Sequence, residues 1–484
     1  MCPAVANVLF VHERKETSPN CIEGEAVDFA CVFKIMAMSI LLRSASKRLR
    51  RHKKTPGCVL VAIIIYAVYM FALASLTKPT TNPSEHDGSH VRGVCLTPHS
   101  LNVRCEKLAN RSGVYKHSDK KLSTSCKQRP LEELLNNCDD LKVQHGYFWW
   151  PVTGEERDFP LAFGIKVHEK PHMAERLLRV IWRPHNFYCI HVDKKTPDEV
   201  FAVFQKLADC FHNVFLTDVR IRLVYASIFS LMSDIECMKM ALRSNVSWKY
   251  YLNLSGQEFP LKTNFEIVQI LSLLNGTNDI PSHPPAANNQ LYYRRKHVII
   301  NEEIYQTRRE KPPFAYKIVH RKGSAYGAFS RPFLQVALTD RLAVELLDWL
   351  NDTWAPDELF WSTLNYLPGY PGGLRADVSH EEGTFLSRAL AWYWDKYRCQ
   401  GHYRRLVCVF GSGDLPWLVR RPELIANKFD EDTDPVVMDC LEKMLEERAV
   451  AAFRGKPLPA EAGGLNWTFY RSLPHVRKAA ERAR

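Results

Sequence analysis

The chain has 484 residues, of which 46% are hydrophobic and 24% charged, and this balance excludes an intrinsically disordered protein. The formal net charge of +12 resembles that of nucleic-acid-binding proteins. However, six basic residues form one block in the stretch 47–54, directly before an apolar run. The charge is better explained by a membrane flank, and no nucleic acid partner is expected.

The apolar run at 58–76 contains no charged residue and is long enough to cross a bilayer. A cleaved signal peptide is the alternative, but the run is long for one and lies far from Met1. Because basic residues precede the run, the sequence predicts a cytoplasmic tail over 1–57 and a single-pass type II signal anchor over 58–76. The remainder then lies in the lumen, as a stem that merges into the first ordered elements over 77–155 and a folded domain over 156–484.

Lumenal placement changes the interpretation of the cysteines. Fourteen cysteines in a secretory chain favour disulfides over metal thiolates, and the lack of any C-x-x-C pair argues against a zinc ribbon. N-glycosylation sequons fit the same compartment and begin at Asn110, Asn245, Asn275, Asn351 and Asn466. The motif also occurs at Asn253, but that residue lies in an apolar, strand-like run and is predicted to be buried and unmodified.

Strand-like and helix-like segments alternate from residue 159 onward. Apolar segments predict strands at 161–167, 187–193, 213–216 and 250–254, and helical spacing predicts helices at 172–182, 198–211 and 227–242. This alternation is typical of an α/β fold with a mostly parallel central sheet. Ligands of such sheets bind beyond the carboxyl ends of the strands, which places Asp193 and the loop 255–258 beside any nucleotide. No G-x-G-x-x-G or P-loop motif occurs, so dinucleotide-dependent and kinase functions are not expected.

Glu358 follows Pro356 and Asp357 and precedes an apolar segment. Proline and acids followed by apolar residues at helical spacing are typical of a helix start, and this is the commoner explanation. A helix start can also present a carboxylate to a cleft, and an inverting sugar transfer needs one base within hydrogen-bond reach of the acceptor hydroxyl. Glu358 is therefore the candidate base.

Arg405 and Lys428 are the candidate phosphate-binding cations. Most lysines and arginines are surface charges, but these two lie beside the apolar runs 406–410 and 425–429. Fixed cations can offset the negative charge that grows on a departing nucleotide diphosphate, a task that Mg²⁺ or Mn²⁺ otherwise performs.

The acidic stretch 430–434 is the best metal candidate in the sequence. Pro435 and Leu441 stand where an EF-hand loop needs glycine and glutamate, so the match fails. Asp193 is a lone acid rather than one half of an Asp-x-Asp pair. The stretch is therefore interpreted as a solvated acidic loop, and no metal site is expected.

A series of short motifs runs in order through residues 100–445. The segments are FYCIHVD at 187–193, VYAS at 224–227, WKY at 248–250, FPLKTN at 259–264, GSAY at 323–326, APDE at 355–358, FGSGDL at 410–415 and ANKFD at 426–430. Together they resemble the core 2 / I-branching β-1,6-N-acetylglucosaminyltransferases, glycosyltransferase family 14. The resemblance implies a GT-A-like fold, UDP-GlcNAc as donor, an inverting displacement, and no divalent metal or other cofactor.

The resemblance also implies roles for individual positions. They are a catalytic base at Glu358, diphosphate contacts at Arg405 and Lys428, nucleotide-binding stretches at Asp193, His191 and Tyr225, and acceptor-side aromatics at Trp392 and Trp394. Tryptophans more often pack in cores, but indole rings also receive the C–H faces of sugars. The implied disulfides are Cys105–Cys440, Cys138–Cys210, Cys189–Cys237 and Cys399–Cys408, with Cys95 and Cys126 left to pair with each other.

The sequence departs from the family pattern near the expected active site. The family's C-G loop reads Ser255-Gly256 here, so a free thiol that is often present is missing. The stretch 284–287 lacks the charged residues that hold the acceptor sugar in core 2 enzymes, although Arg294 and Arg295 follow. The segment between Trp394 and Cys399 is also short, which reshapes the acceptor side.

The leading hypothesis is a Golgi membrane enzyme that moves GlcNAc from UDP-GlcNAc to the 6-hydroxyl of GalNAc or Gal in mucin-type O-glycans on glycoproteins. A peptide O-xylosyltransferase, which uses UDP-xylose and a serine acceptor, is the second hypothesis. The third is an inactive, membrane-anchored homologue that only binds glycans, although the presence of Glu358, Arg405 and Lys428 argues against it. The sequence leaves open whether the protein forms a homodimer.

Overall fold

The computed structural model describes residues 105–109, 130–148, 150–284, 291–374, 385–458 and 464–482. All of them belong to one unit, Val91–Arg484. The predicted anchor at 58–76, the cysteines Cys95 and Cys126 and the sequon at Asn110 lie outside these ranges. Within the described ranges, no helix combines the length and the apolar character that a bilayer span requires.

The central sheet is mostly parallel, as predicted. The strands are β1 (Leu161–Val167), β2 (Phe187–Val192), β3 (Val214–Leu216), β4 (Tyr250–Ser255), β5 (Glu258–Pro260), β6 (Arg295–Ile300), β7 (Glu303–Glu310), β8 (Ala328–Ser330), β9 (His402–Arg404), β10 (Val407–Val409) and β11 (Ile425–Asn427). The central sheet has the order β3-β2-β1-β4-β8. Strand β1 pairs parallel with β2 and β4, and β2 pairs parallel with β3, whereas β8 joins β4 antiparallel.

Helices connect and cover these strands. They are α1 (Cys105–Ala109), α2 (Leu131–Leu134), α3 (Cys138–Gln144), α4 (Gly154–Asp158), α5 (Pro171–Ile181), α6 (Asp198–Asp209), α7 (Ile228–Arg243), α8 (Asn264–Leu273), α9 (Leu291–Arg294), α10 (Arg331–Ala337), α11 (Arg341–Trp349), α12 (Asp357–Tyr366), α13 (Leu415–Leu418), α14 (Pro435–Phe453), α15 (Trp467–Ser472) and α16 (Pro474–Arg482), with 3₁₀ turns at Leu350–Asp352 and Ser412–Asp414. The predicted helices correspond to α5, α6 and α7. Helix α8 shows why a helix begins where it does, because Thr263 and Glu266 form a reciprocal capping box at its first turn.

Side chains of β1 alternate between two apolar cores on the two faces of the sheet. Phe163 and Ile165 pack with residues of α8, whereas Ala162 packs with residues of α7. Gly164 lies between them under Tyr251, and a Cβ atom at this position would come within 1.8 Å of the tyrosine hydroxyl oxygen. The close approach therefore requires glycine.

All four implied disulfides are present, which confirms that part of the prediction. They are Cys105–Cys440, Cys138–Cys210, Cys189–Cys237 and Cys399–Cys408. The first joins α1 to α14 across 335 residues, and the third joins β2 to α7. Cross-links of this kind stabilise the fold mainly by restricting the unfolded chain. Leu131, Leu134 and Leu141 are buried in the core, so the end of the range 77–155 is part of the folded structure.

The interpretation of 430–434 as a solvated acidic loop is wrong for Glu431, its second residue. Glu431 is only 6% exposed, and its Oε1 accepts a hydrogen bond from Nη1 of Arg176 at 3.0 Å. Arg176 is itself buried and also contacts Asp439 and Glu442 of α14. Burial alone would raise the pKa of Glu431, but the hydrogen bond from His172 and the charge of Arg176 lower it to about 2. The acid therefore helps attach α5 to α14.

The sequons within the described ranges differ in accessibility, as expected. Asn245, Asn275, Asn351 and Asn466 are exposed. Asn253 is fully buried, and its side-chain amide donates to the carbonyl oxygen of Ala325 at 2.7 Å. The predicted burial of Asn253 is confirmed, whereas the modification of the exposed sites remains a prediction.

Candidate active site

Glu358 lies in the first turn of α12. Pro356 precedes the helix with a φ of −66°, and the amide of Ala355 donates to the carbonyl of Ala226 at 2.7 Å. The Glu358 side chain is 30% exposed, whereas the seven residues that follow it in the helix are buried. Both interpretations of the sequence motif are therefore compatible, since Glu358 starts a helix and also presents an accessible carboxylate.

Asp357, directly beside Glu358, is buried within a polar network. Its Oδ1 accepts the amide of Glu358 at 3.0 Å. Burial and then the Glu358 carboxylate raise the pKa of Asp357 to about 6, with Lys166 opposing the shift. Lys166 donates to Asp234 at 2.9 Å, and Asn253 donates to the same Asp234 oxygen at 3.4 Å. Asp357 therefore holds the amide of Glu358 and lies within electrostatic reach of the Lys166–Asp234 pair, and the sequence analysis did not identify these interactions.

Lys322 is a second residue that sequence analysis missed. Its Nζ forms an ion pair with Oε2 of Glu358. The two residues are 36 positions apart in the chain, so only the tertiary fold brings them together. The one local signal was that Lys322 directly precedes the GSAY motif at 323–326.

Arg405 and Lys428 lie at the ends of neighbouring strands. Lys428 follows β11, its amide donates to the carbonyl of Cys408 in β10 at 3.3 Å, and its carbonyl accepts the amide of Phe410 at 2.9 Å. Arg405 lies with Leu406 in the turn between β9 and β10. Among the described residues, neither cationic side chain has a carboxylate partner. Two such cations in one place are suited to binding an anion.

The charges of these residues influence one another. Burial, followed by the charges of Arg405 and Arg404, lowers the pKa of Lys428 to about 8, with Glu258 opposing them. The Arg405 guanidinium also lies 4.7 Å from the ring centre of Tyr225. Burial raises the pKa of Tyr225, Arg405 opposes this shift and Glu358 adds to it. The Tyr225 hydroxyl is therefore close enough to interact electrostatically with both Arg405 and Glu358.

The loop 255–258, expected beside the nucleotide, contacts the segment of Lys428. The carbonyl of Gln257 accepts the amide of Phe429 at 2.7 Å. Glu258 is fully buried and accepts from Asn427 at 2.8 Å, and Arg388 lies 3.2 Å from it. The carboxyl end of β4 and the end of β11 therefore form one surface, as expected for a ligand site in an α/β sheet.

Asp193 and His191, at the carboxyl end of β2, hold the loop that leads to Tyr225. Asp193 Oδ1 accepts hydrogen bonds from the amides of Lys195 at 2.9 Å and Leu223 at 3.2 Å. The His191 ring forms hydrogen bonds with Thr217 Oγ1 at 3.0 Å and with the amide of Ile221 at 3.3 Å. Both side chains are buried, and burial lowers the pKa of His191. The structure thus shows how they position the loop, and their contact with a nucleotide remains a prediction.

Trp392 and Trp394 form a stacked pair. Their ring centres are 5.0 Å apart with an angle of 8° between the planes, and Trp394 is 65% exposed. The amide of Tyr393, between them, donates to the carbonyl of Leu406 at 2.9 Å. The indole pair is therefore attached to the turn that carries Arg405.

Metal-ligating side chains form one cluster within the described ranges. It consists of Cys399, Cys408 and Asp414. The two cysteines are joined in a disulfide, so they offer no thiolate to a metal ion.

Comparison with known proteins identifies the family. The family model of the Core-2/I-Branching enzyme matches residues 161–419. A human beta-1,3-galactosyl-O-glycosyl-glycoprotein beta-1,6-N-acetylglucosaminyltransferase 3 is 35% identical over 66% of this chain and 75% of its own length. The chain belongs to the core-2/I-branching enzyme family.

Other relatives of this branching enzyme carry two kinds of name. The mouse N-acetyllactosaminide beta-1,6-N-acetylglucosaminyl-transferase is 40% identical over 65% of this chain and 79% of its own length. A beta-1,3-galactosyl-O-glycosyl-glycoprotein beta-1,6-N-acetylglucosaminyltransferase of Bovine herpesvirus 4 (strain LVR140) is 33% identical over 81% of this chain and 94% of its own length. The protein is therefore a glycosyltransferase.

The range matched by the family model includes some of the site residues and not others. Glu358 and Arg405 lie inside the matched range, whereas Lys428 lies beyond its end. Arg294, which follows the acceptor loop, is exposed at the end of α9. Residues 285–290 of that loop lie outside the described ranges.

Proposed function

We propose that this branching enzyme transfers GlcNAc from UDP-GlcNAc to the 6-hydroxyl of GalNAc or Gal in mucin-type O-glycans of glycoproteins, as in core 2 branching. The transfer inverts the anomeric centre, needs no divalent metal, and takes place in the Golgi lumen on a type II anchor at 58–76. The observation that carries the proposal is the combination of an accessible carboxylate, Glu358, with two cations, Arg405 and Lys428, that form no ion pair with an acid within the described part of the chain.

In the proposed reaction, Glu358 accepts the proton of the acceptor 6-hydroxyl. The electron pair of that oxygen forms the new bond to the anomeric carbon of GlcNAc. The bond from this carbon to the β-phosphate oxygen of UDP breaks at the same time, and its electron pair leaves with UDP. Attack from the side opposite the leaving group inverts the anomeric configuration, and a single base suffices for this displacement.

Arg405 and Lys428 have the charge that the departing UDP requires. Negative charge grows on the diphosphate as the sugar leaves, and preorganised cations stabilise it without needing to reorganise. Lys428 is partly buried, where an ion interacts more strongly with a bound phosphate than it would in open water. Metal-independent transfer is proposed on this basis.

The acceptor is proposed from the relatives and from the indole pair. The names of the relatives include both β-1,3-galactosyl-O-glycosyl-glycoproteins and N-acetyllactosaminides as acceptors. Both names describe a β-1,6-N-acetylglucosaminyltransferase. The exposed ring of Trp394 offers an apolar face of the kind that sugar C–H groups contact.

The test uses the full-length protein in membranes from expressing cells, supplied with UDP-GlcNAc and EDTA. The acceptors are Galβ1-3GalNAc, core 3 and polylactosamine, and UDP-xylose with a serine peptide tests the xylosyltransferase alternative. We expect transfer to Galβ1-3GalNAc in EDTA. Glu358→Gln should abolish transfer and retain UDP binding, while Glu345→Gln, a partly exposed glutamate of α11, serves as the matched control.

Three results would contradict parts of the proposal. Strong turnover by Glu358→Gln would exclude this residue as the base. Activity that disappears in EDTA and returns with Mn²⁺ would exclude metal-free transfer. Xylose transfer to the peptide, without GlcNAc transfer to any glycan, would favour the second hypothesis.

A further inference from the structure

We propose that Lys322 is a positioning residue for the base, and that its ammonium holds one carboxylate oxygen of Glu358 so that the other faces the acceptor hydroxyl. The inference rests on the proposed function, because it assumes that Glu358 is the base. It adds a residue that lies outside the phosphate-binding pair and outside the indole pair.

The backbone holds Lys322 close to the first turn of α12. The amide of Gly323 donates to the carbonyl of Glu358 at 2.8 Å. On its other side, Lys322 exchanges two backbone hydrogen bonds with His283, at 3.0 and 2.8 Å. A Cβ atom at Gly323 would come within 2.0 Å of the carbonyl oxygen of Pro281, so this segment approaches its neighbour too closely for any side chain. The two segments are therefore held in a fixed relation.

The ion pair orients the carboxylate. Lys322 Nζ contacts Oε2 of Glu358. Among the described residues, none forms a hydrogen bond with Oε1 of Glu358. A general base must place an oxygen within roughly 2.6–3.2 Å of the proton that it accepts. Because a glutamate side chain has several rotatable bonds, holding Oε2 selects the conformers in which Oε1 is available.

The surrounding charges show why a cation is needed here. Glu358 lies beside the buried Asp357, and its charge raises the pKa of that acid, so the two carboxyl groups repel one another. The nearby cation Lys166 is already paired with Asp234 at 2.9 Å. Lys322 supplies the counter-charge on the side of Glu358 itself, and it is only 18% exposed, so solvent screens the interaction incompletely.

The experiment compares four full-length variants with wild type, using UDP-GlcNAc and the best acceptor. Lys322→Met removes the charge at similar length, and Lys322→Arg retains it. Glu358→Gln tests the base, and Lys317→Met, an exposed lysine five positions upstream, is the matched control. The readouts are kcat, the acceptor KM, the dissociation constant of UDP and the thermal midpoint.

We expect Lys322→Met to lower kcat by roughly 10- to 100-fold, the size of effect that a misplaced catalytic group produces. UDP affinity and the acceptor KM should stay within about twofold of wild type, and Lys322→Arg should recover most of kcat. The thermal midpoint separates loss of positioning from loss of folding. A purely structural role would lower the midpoint and would not depend on charge.

Several outcomes would overturn the proposal. A raised acceptor KM with unchanged kcat would make Lys322 an acceptor-binding residue, and a raised kcat in Lys322→Met would make the ion pair inhibitory. Wild-type kinetics in Lys322→Met, with Glu358→Gln inactive, would reject the role of Lys322 and leave the proposed function intact. Full activity of Glu358→Gln would reject the base, and with it the premise of this inference.

Discussion

Lys428 should make UDP binding depend on pH. Burial, followed by the charges of Arg405 and Arg404, lowers the pKa of its ammonium to about 8, with Glu258 opposing them. The free protein therefore loses this cation as the pH rises from 7 to 9, whereas a bound diphosphate favours the protonated form. If only the protonated form binds UDP, the dissociation constant should rise roughly tenfold between pH 7 and pH 9, or about 1.4 kcal/mol.

The measurement is calorimetric titration of the full-length protein with UDP in EDTA at pH 7, 8 and 9. The ligand itself contributes little, because a phosphate monoester loses its second proton near pH ~6. Titrations at pH 8.5 in buffers with different ionisation enthalpies should reveal uptake of a proton. Lys428→Arg should bind UDP with little dependence on pH, because a guanidinium stays charged throughout this range. A constant affinity in wild type, or the same pH dependence in Lys428→Arg, would refute the reasoning.

The buried ionic network, the indole pair and the buried acid beside the base each predict a measurable change. Arg176→Met leaves three buried carboxylates without their shared cation and should lower the free energy of unfolding by roughly 3–5 kcal/mol in thermal melts, while Arg341→Met on an exposed helix face should change it by less than about 1 kcal/mol. Trp394→Ala should raise the acceptor KM by up to roughly tenfold at constant UDP affinity, and an unchanged KM would separate the indole pair from the acceptor. Because the pKa of Asp357 is raised to about 6, its protonated form is favoured in the folded state, and this contribution to stability is lost as the pH rises through that value. Asp357→Asn should therefore lose less stability than wild type between pH 5 and pH 7.5, by about 1.4 kcal/mol, and equal losses would show that Asp357 does not titrate in this way.

The parallel part of the fold could be predicted because its signals are local. Strands such as 161–167 are mainly apolar runs, and the helices between them have regular apolar spacing, so each element is visible within its own segment. Strand β8 was not predicted, since it has three residues and pairs antiparallel at the edge of the sheet. The hairpin of β6 and β7 was also missed, because most of its residues are exposed and its apolar pattern is weak.

The site shows the same division between local and tertiary information. Glu358 and Lys428 belong to short motifs that can be recognised one at a time, and Arg405 directly precedes a recognisable apolar run at 406–410. Lys322 has no such motif, and its ion pair with Glu358 exists only because Gly323 allows two segments to approach closely. Glu431 was misinterpreted for a related reason, since an acid in an acidic run looks solvated until the buried Arg176 is placed beside it.

Backbone strain occurs in the turns that carry the site residues. Among the described residues, eight non-glycine residues have a positive φ, and four of them are Ala226 at 56°, Ala355 at 47°, Arg405 at 52° and Leu406 at 66°. Ala226 follows Tyr225, and Ala355 lies in the turn that leads to Glu358. A left-handed conformation costs an L-residue with a side chain roughly 1 kcal/mol or more, and a turn selected for stability alone would favour glycine or asparagine there. The amide of Ala355 donates to the carbonyl of Ala226, so two of these turns hold each other in place. The strain therefore indicates that these turns are determined by the positions they give to the side chains of Tyr225, Glu358 and Arg405. The packing around the turns supports a geometry that they would not adopt alone.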